Sequence, residues 1–341
     1  MFDWPLWLNI SVFIAATGVI TYAGSKLSYV ADRLADRTGL GEALMGAVLL
    51  GGSTSLSGVV VSITAAWQGE AQLAVSNAIG GIAAQTAFLA VADIVYRRAN
   101  LEHAAASLAN ILFGALLIAL MGGVMLAATA PEWSVMGVHP FTPILVIGYL
   151  GGLRVARRSR ERPMWKPRQT RETRVDQPDE TPPGERLPAL WGRFAALAFM
   201  LGTSGWLVAQ SGMGIAQQTG LSGTLVGFLF TAVATSTPEL VTTIAAVRNG
   251  ALTLAIGGIL GGNAFDVMFA VAADVAYREG SVYHAITSHE LFMTTLGMIM
   301  TAVLVMGMLS RQEHGVGRIG FESALILVLY AVGVTVVAVS G

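Results

Sequence analysis

The 341-residue chain contains no cysteine, which excludes disulfides, thiolate nucleophiles and any Cys-ligated zinc or iron–sulfur centre. Charge is scarce as well. Asp, Glu, Lys and Arg make up 12% of the residues, about half the share of a soluble domain, while hydrophobic residues make up 54%. A mean hydropathy of +0.65 places the chain in lipid rather than water. The start, Met1, Phe2, Asp3 and Trp4, has no basic residue before the first apolar run. It lacks the charged start of a signal peptide and is expected to stay uncleaved. The net charge of -1 is uninformative, since what matters in a membrane protein is where the charges sit, and nucleic acid is not an expected partner.

What the chain has instead is glycine, forty residues against eleven prolines, a bias that lets membrane helices approach closely. A hydrocarbon core of ~30 Å takes roughly 20 apolar residues per helix. On that measure the sequence predicts an all-α integral membrane protein of about ten transmembrane helices. The first five fall near 7–23, 39–66, 72–96, 104–129 and 135–153, and the second five near 190–210, 223–247, 251–277, 289–309 and 321–340. Pro140 and Pro143 are expected to interrupt the fifth. Residues 154–189 carry ten basic and six acidic side chains and little apolar surface, so they read as a solvated cytosolic linker that touches anionic lipid headgroups. The chain thus divides into a first five-helix repeat at 1–153, the linker, and a second five-helix repeat at 190–341.

Basic residues stay on the cytoplasmic side of a membrane. With the linker inside, ten spans place 19 of the 20 lysines and arginines inside, Arg278 being the exception. Both termini then lie outside. An odd number of spans per half means that the halves insert in opposite directions. The sequence carries the trace of that duplication. The segment 46–97 aligns with 227–278 without a gap, with 17 identities in 52 positions. Asp93, Tyr96 and Arg97 match Asp274, Tyr277 and Arg278, and polar identities of this kind do not follow from apolar composition.

Inverted repeats are the architecture of many secondary transporters, with substrate sites where interrupted helices of the two halves meet. The second span is broken by Ser53, Thr54, Ser55, Ser57 and Gly58, and the seventh by Thr235, Ser236, Thr237, Pro238 and Glu239. Proline lacks an amide hydrogen and leaves a backbone carbonyl without its helical partner, and in a membrane a cation is one candidate to replace it. Two acids, Glu239 and Asp266, lie near the middles of their spans, where a charge costs ~2.5 to 3.5 kcal/mol. Hard cations take ~6 to 8 oxygen ligands. The two carboxylates, the Gln85 amide, the Ser55 and Ser236 hydroxyls and the carbonyls near Thr54 and Thr235 supply most of such a shell. A buried carboxylate pair that releases its cation is neutralised by protons, so exchange of a cation for protons follows from the same groups.

These residues resemble the calcium/cation antiporter superfamily, which includes the sodium/calcium exchangers. The second repeat reads ATSTPEL at 234–240 and GGILGGNAFD at 257–266, and the first reads STSLSG at 53–58 and SNAIGGIAAQ at 76–85. The resemblance implies a secondary active antiporter working by alternating access, with spans 1 and 6 moving. It implies cation ligation by Glu239, Asp266, Thr54, Ser55, Thr235, Ser236 and Asn77, with Gln85 in the place of an Asn. It also exposes departures. Gly58 stands where the first glutamate belongs, and Gly81 and Gly262 replace serines. The ion is calcium, another divalent or a monovalent cation, against sodium or protons. The alternative is a membrane ion sensor or scaffold that kept the fold without transport. No cofactor and no enzymatic activity are expected.

Weaker signals compete with ordinary packing. Gly202, Thr203, Ser204 and Gly205 spell the GxSG of an intramembrane serine protease, but four residues in a glycine-rich chain favour helix packing. His103, His139 and His314 fall at helix ends, and Trp4, Trp7, Trp133, Trp191 and Trp206 read as interfacial anchors. The pairs Gly80–Gly81 and Gly261–Gly262 fit either close packing or room for an ion.

Overall fold

The structure is a computed structural model and describes residues 4–38, 52–96, 98–105, 107–161, 163–171, 173, 186–315 and 319–340. Residues 39–51 of the second expected span, residues 162, 172 and 174–185 of the linker, and Arg97 and Arg318 lie outside the described residues. The described chain is helical apart from its connections, as backbone in lipid must be when its polar groups find no water. In order the helices are α1 (Leu6–Thr38), α2 (Leu56–Trp67), α3 (Ala71–Val95), α4 (Leu108–Thr129), α5 (Phe141–Glu161), α6 (Leu187–Thr219), α7 (Gly223–Thr235), α8 (Thr237–Arg248), α9 (Leu252–Ala276), α10 (Ser288–Ser310) and α11 (Phe321–Ser340). Single turns precede α2 at Gly52–Thr54 and α4 at Leu101–Ala104.

Among the described residues seven helices are individually long and apolar enough to cross a membrane, and the bent pair α7–α8 makes an eighth. The protein is therefore a multi-pass membrane protein. The expected count of ten is not reached among them, because α5 carries four arginines in its last two turns and α2 is only 12 residues long. Helix ends also differ from expectation. α1 and α6 run to 33 residues each, and α5 continues to Glu161, two turns into the stretch read as linker. Pro140 and Pro143 do not interrupt α5. They sit just before and within its first turn, where a missing amide hydrogen costs nothing.

α3 and α9 form the centre. In α3, 78% of the most apolar stretch is buried, and in α9 67%, against 22% in α1 and α11. The outer helices turn Trp7, Ile14, Phe199 and Val328 outward, as lipid-facing surfaces do. α1 lies along α6, and that pair packs against α2 and α8, while α10 joins α4, α3 and α11.

Polar clamps fix the ends of the central helices. Asp93 of α3 accepts the Leu101 amide at 2.7 Å and the Gly320 amide at 3.1 Å, with Ser323 beside it. Asp274 of α9 accepts the Val282 amide at 3.0 Å, the His139 amide at 2.8 Å and the Thr142 hydroxyl at 2.6 Å. Val282, His139 and Thr142 hold the same places in the repeat as Leu101, Gly320 and Ser323 around Asp93. Glu290 caps α10 through Thr287 and accepts the Ser76 and Thr224 hydroxyls with its other oxygen.

Two of the paired glycines divide the roles left open by the sequence. A Cβ on Gly80 would fall inside the backbone of Phe228, so Gly80 is a close-packing point between α3 and α7. A Cβ on Gly261 would meet nothing within 4 Å. Gly80→Ala is therefore expected to cost ~1–3 kcal/mol, read as a lower thermal midpoint in detergent, while Gly261→Ala leaves the midpoint where it was.

Candidate cation site

Two helix breaks define the site. The helix stops and restarts at Ser55, with φ -82° and ψ 0°, and at Ser236, with φ -94° and ψ 3°. These nearly equal angles lie in the sparsely populated bridge region. The second break bends the chain by 45° between α7 and α8, after a π-helical turn at Val226–Thr231. Pro238 cannot donate to the Ala234 carbonyl, and the Thr237 hydroxyl takes its place at 2.9 Å. That freed carbonyl is thus satisfied by a side chain of the chain itself.

Asp266 is fully buried at the middle of α9. Its Oδ1 accepts the Ser55 hydroxyl at 2.7 Å and its Oδ2 accepts the Gln85 amide at 2.6 Å. The same Gln85 nitrogen donates to Ser236 Oγ at 3.2 Å. The contacts are paired, since Gln85 and Asp266 hold the same place in the two repeats, as do Ser55 and Ser236. Glu239, 6% exposed, lies near enough to Asp266 for the two carboxyls to interact electrostatically, with the Thr54 hydroxyl in reach of its carboxyl. Both breaks therefore meet at Gln85 and Asp266, with Glu239 in electrostatic reach.

Two acceptors in this cluster are unspent. Glu239 Oε2 and Gln85 Oε1 are buried and accept no hydrogen bond. Leaving a buried acceptor unpaired costs ~1–3 kcal/mol, and a cation removes that cost. Gly81 and Gly262 keep space beside them. A Cβ at Gly81 would stand 3.5 Å from Ser236 Oγ and 3.6 Å from Asp266 Oδ2, and one at Gly262 3.6 Å from Gln85 Oε1. Donor chemistry here is all oxygen, as a hard cation requires.

The other expected ligands are engaged elsewhere. The Thr235 hydroxyl bonds the Thr231 and Ala232 carbonyls of its own helix. Asn77 donates to the Gly58 carbonyl and to Ser62 Oγ and accepts the Thr231 hydroxyl, tying α2, α3 and α7 together. At Gly58, where the resemblance implies a glutamate, the Phe269 ring occupies the space a side chain would need. Sequence reasoning missed Phe269, and it missed Tyr149. The Tyr149 hydroxyl is buried without a partner, stands within electrostatic reach of Asp266, and its ring meets Phe265 edge-on at 6.0 Å. Its mid-helix position in α5 was the only signal, and apolar surroundings hide a tyrosine's polarity. Gly205, from the protease-like motif, presses on the backbone of Ser57, where a Cβ would fall 2.6 Å from the carbonyl oxygen. Its role is packing.

Comparison with known proteins gives the family and the fold. The family model of the sodium/calcium exchanger protein matches residues 8–153 and 188–339. The chain belongs to the sodium/calcium exchanger family. Among its relatives are the putative antiporter CaxA of Alkalimonas amylolytica, 24% identical over 92% of this chain and 93% of that protein, and the inner membrane protein YrbG of Escherichia coli K12, 24% identical over 91% and 92%. The fold is that of the sodium-calcium exchanger NCX_Mj, with a TM-score of 0.59 at 17% identity over 97% of this chain and 99% of that one. It is also that of an H+/Ca2+ exchanger, CAX, with a TM-score of 0.67 at 13% identity over 97% and 85%.

The Phe269 ring closes the space beside Gly58, where the resemblance implies a glutamate. Gly58→Glu alone is expected to lower the thermal midpoint in detergent, and Gly58→Glu with Phe269→Ala to recover part of that loss. A midpoint for the single variant equal to the parent's would contradict the packing described.

Proposed function

We propose that the protein is a secondary active cation antiporter that carries a divalent cation, calcium being the first candidate, in exchange for protons or sodium. The observation that supports it is the buried cluster of Asp266, Gln85, Ser55 and Ser236 beside Glu239, with two acceptor oxygens unspent. Ligands are Glu239, Asp266, Gln85, Ser55, Ser236 and Thr54, with Thr235 contributing its carbonyl and Asn77 holding the break in place. Membrane lipid is the surrounding medium.

Charge arithmetic sets the exchange. Two carboxylates balance one divalent ion, and with Gly58 in place of a further glutamate no other acid in this cluster adds to them. When the ion leaves, two bare carboxylates out of water are untenable, so two protons or two monovalent cations must take its place. Exchange at that ratio moves no net charge.

In this reading the chain consists of ten spans in two inverted repeats, 1–153 and 190–341, joined by a cytosolic segment at 154–189, with both termini outside. The pairing of contacts between equivalent places of the two repeats supports an internal two-fold axis passing close to Gln85 and Asp266. Alternating access then comes from α1 and α6 sliding together across the two breaks. Glycines favour such sliding, because Gly24 faces the Pro238 ring and Gly205 the Ser57 backbone at equivalent places.

Flux in proteoliposomes tests the proposal. Glu239→Gln and Asp266→Asn are each expected to reduce calcium-for-proton exchange by about an order of magnitude or more, with folding intact by circular dichroism. Gly81→Ser restores a hydroxyl beside Asp266 and is expected to tighten calcium binding. Parent protein that binds calcium but exchanges nothing would instead identify a sensor, and flux untouched by both acid variants would move the site elsewhere.

A further inference from the structure

Away from the central cluster, three acids meet where α3 ends and α11 begins. Asp93, Glu102 and Glu322 are 1%, 1% and 0% exposed. Asp93 is accounted for by the Leu101 and Gly320 amides. Glu102 and Glu322 are not. All four of their carboxyl oxygens are buried, and none accepts a formed hydrogen bond from any other residue. Within reach of each are its own backbone amide and the other carboxyl. Glycines make room for the pair, since a Cβ at Gly307 would fall 2.5 Å from Glu322 Cγ and one at Gly320 would overlap the Glu322 carboxyl.

The fold does not require acids at these positions. The clamp at Asp274 has equivalent partners in the other repeat, and there the counterparts of Glu102 and Glu322 are Tyr283 and Phe141. Those two are aromatic and pack against His139. A pair of buried carboxyls in place of a pair of rings therefore adds cost without adding packing.

No cation among the described residues offsets it. On the single turn Leu101–Ala104, His103 bonds the Arg311 carbonyl and Thr170. At the end of α10, the Arg311 guanidinium bonds the carbonyls of Arg168 and His103 and the Thr173 hydroxyl. Glu313 and His314 beyond it are half exposed and face each other. α3 brings Asp93, α11 brings Glu322, and neither α4 nor residues 252–260 of α9 carry a charge. Burial holds the Glu102 carboxyl well above the usual range, and the charges that act on it, those of Asp93 and Glu322, push the same way.

We propose that Glu102 and Glu322 share one proton and form a second cation site, separate from Glu239 and Asp266, that fastens the start of α11 to α3 while the proton is bound. A metal ion fits less well. The pair offers four oxygens where calcium takes ~6 to 8, and among the described residues no group of three or more acids, histidines or cysteines is placed to hold a metal. Two ionised carboxylates in contact and out of water repel strongly, so loss of the shared proton loosens the junction. The folded state binds this proton more tightly than the unfolded chain. Its contribution to stability is complete in acid and falls as pH rises through the pair's titration. The site makes the junction a pH sensor whether or not the central cluster transports calcium.

Two measurements on the full chain in detergent test this. Dicyclohexylcarbodiimide modifies protonated carboxyls in apolar surroundings, and peptide mapping of the parent is expected to find its adduct on Glu102 or Glu322 at neutral pH and to lose it in alkali. In Glu102→Gln or Glu322→Gln an amide hydrogen replaces the shared proton permanently. The alkaline fall in thermal midpoint seen in the parent is expected to disappear in either variant, while the acid side stays unchanged. Absence of the adduct at every pH overturns the proposal. So does an alkaline limb that is the same in parent and variants, or a midpoint that calcium or sodium raises in the parent and not in the variants. Should the variants fail to fold, the labelling of the parent decides alone.

Discussion

The hydrogen bond from Gln85 to Asp266 is the contact on which the arrangement of the centre depends. It joins the middle of α3 to the middle of α9 through a neutral amide and an acid, and each residue stands at the other's position in the repeat. Ser55 and Ser236 extend it to the two helix breaks, so four segments from both halves of the chain share one polar cluster inside an apolar body. In lipid, where nothing else solvates these groups, these hydrogen bonds satisfy polar atoms within the protein.

The cluster is also sparing of charge. Phe269 fills the space beside Gly58, where the resemblance implies a glutamate, and glycines stand at 81 and 262, where it implies serines. The two substitutions are different in kind. The first is closed by packing, whereas at the second a Cβ would stand in ordinary contact with the site atoms. A site with fewer charges is what the proposed one-divalent-ion exchange rests on.

Around this centre, buried acids serve as structural clamps when every oxygen is met and as candidate sites when oxygens are left over. Asp274 and Glu290 accept hydrogen bonds from amides and hydroxyls at both carboxyl oxygens. Glu239 has one oxygen without a donor, and the pair Glu102 and Glu322 has four. Burial alone does not separate these groups, since all are nearly inaccessible. The supply of donors does, because an acid without donors must keep a proton or find a cation.

By itself the sequence determined membrane residence, the duplicated segment, the two helix breaks and the mid-span placement of Glu239 and Asp266. These are properties of local composition and spacing, and the alignment of Thr54 with Thr235 or Asp93 with Asp274 needs no coordinates. It did not determine which helices are central, because hydropathy reports the solvent a helix tolerates and not the neighbour it meets. α1 and α3 have nearly the same hydropathy, yet α3 is enclosed and α1 faces outward. Only the tertiary structure turned Gln85 toward Asp266, engaged Asn77 and the Thr235 hydroxyl elsewhere, set Phe269 against Gly58 and Tyr149 near Asp266, and brought Glu102 to Glu322 from the other half of the chain. Each of these depends on which faces of distant helices come together, and that is settled by packing between segments whose separation in sequence carries no trace of it.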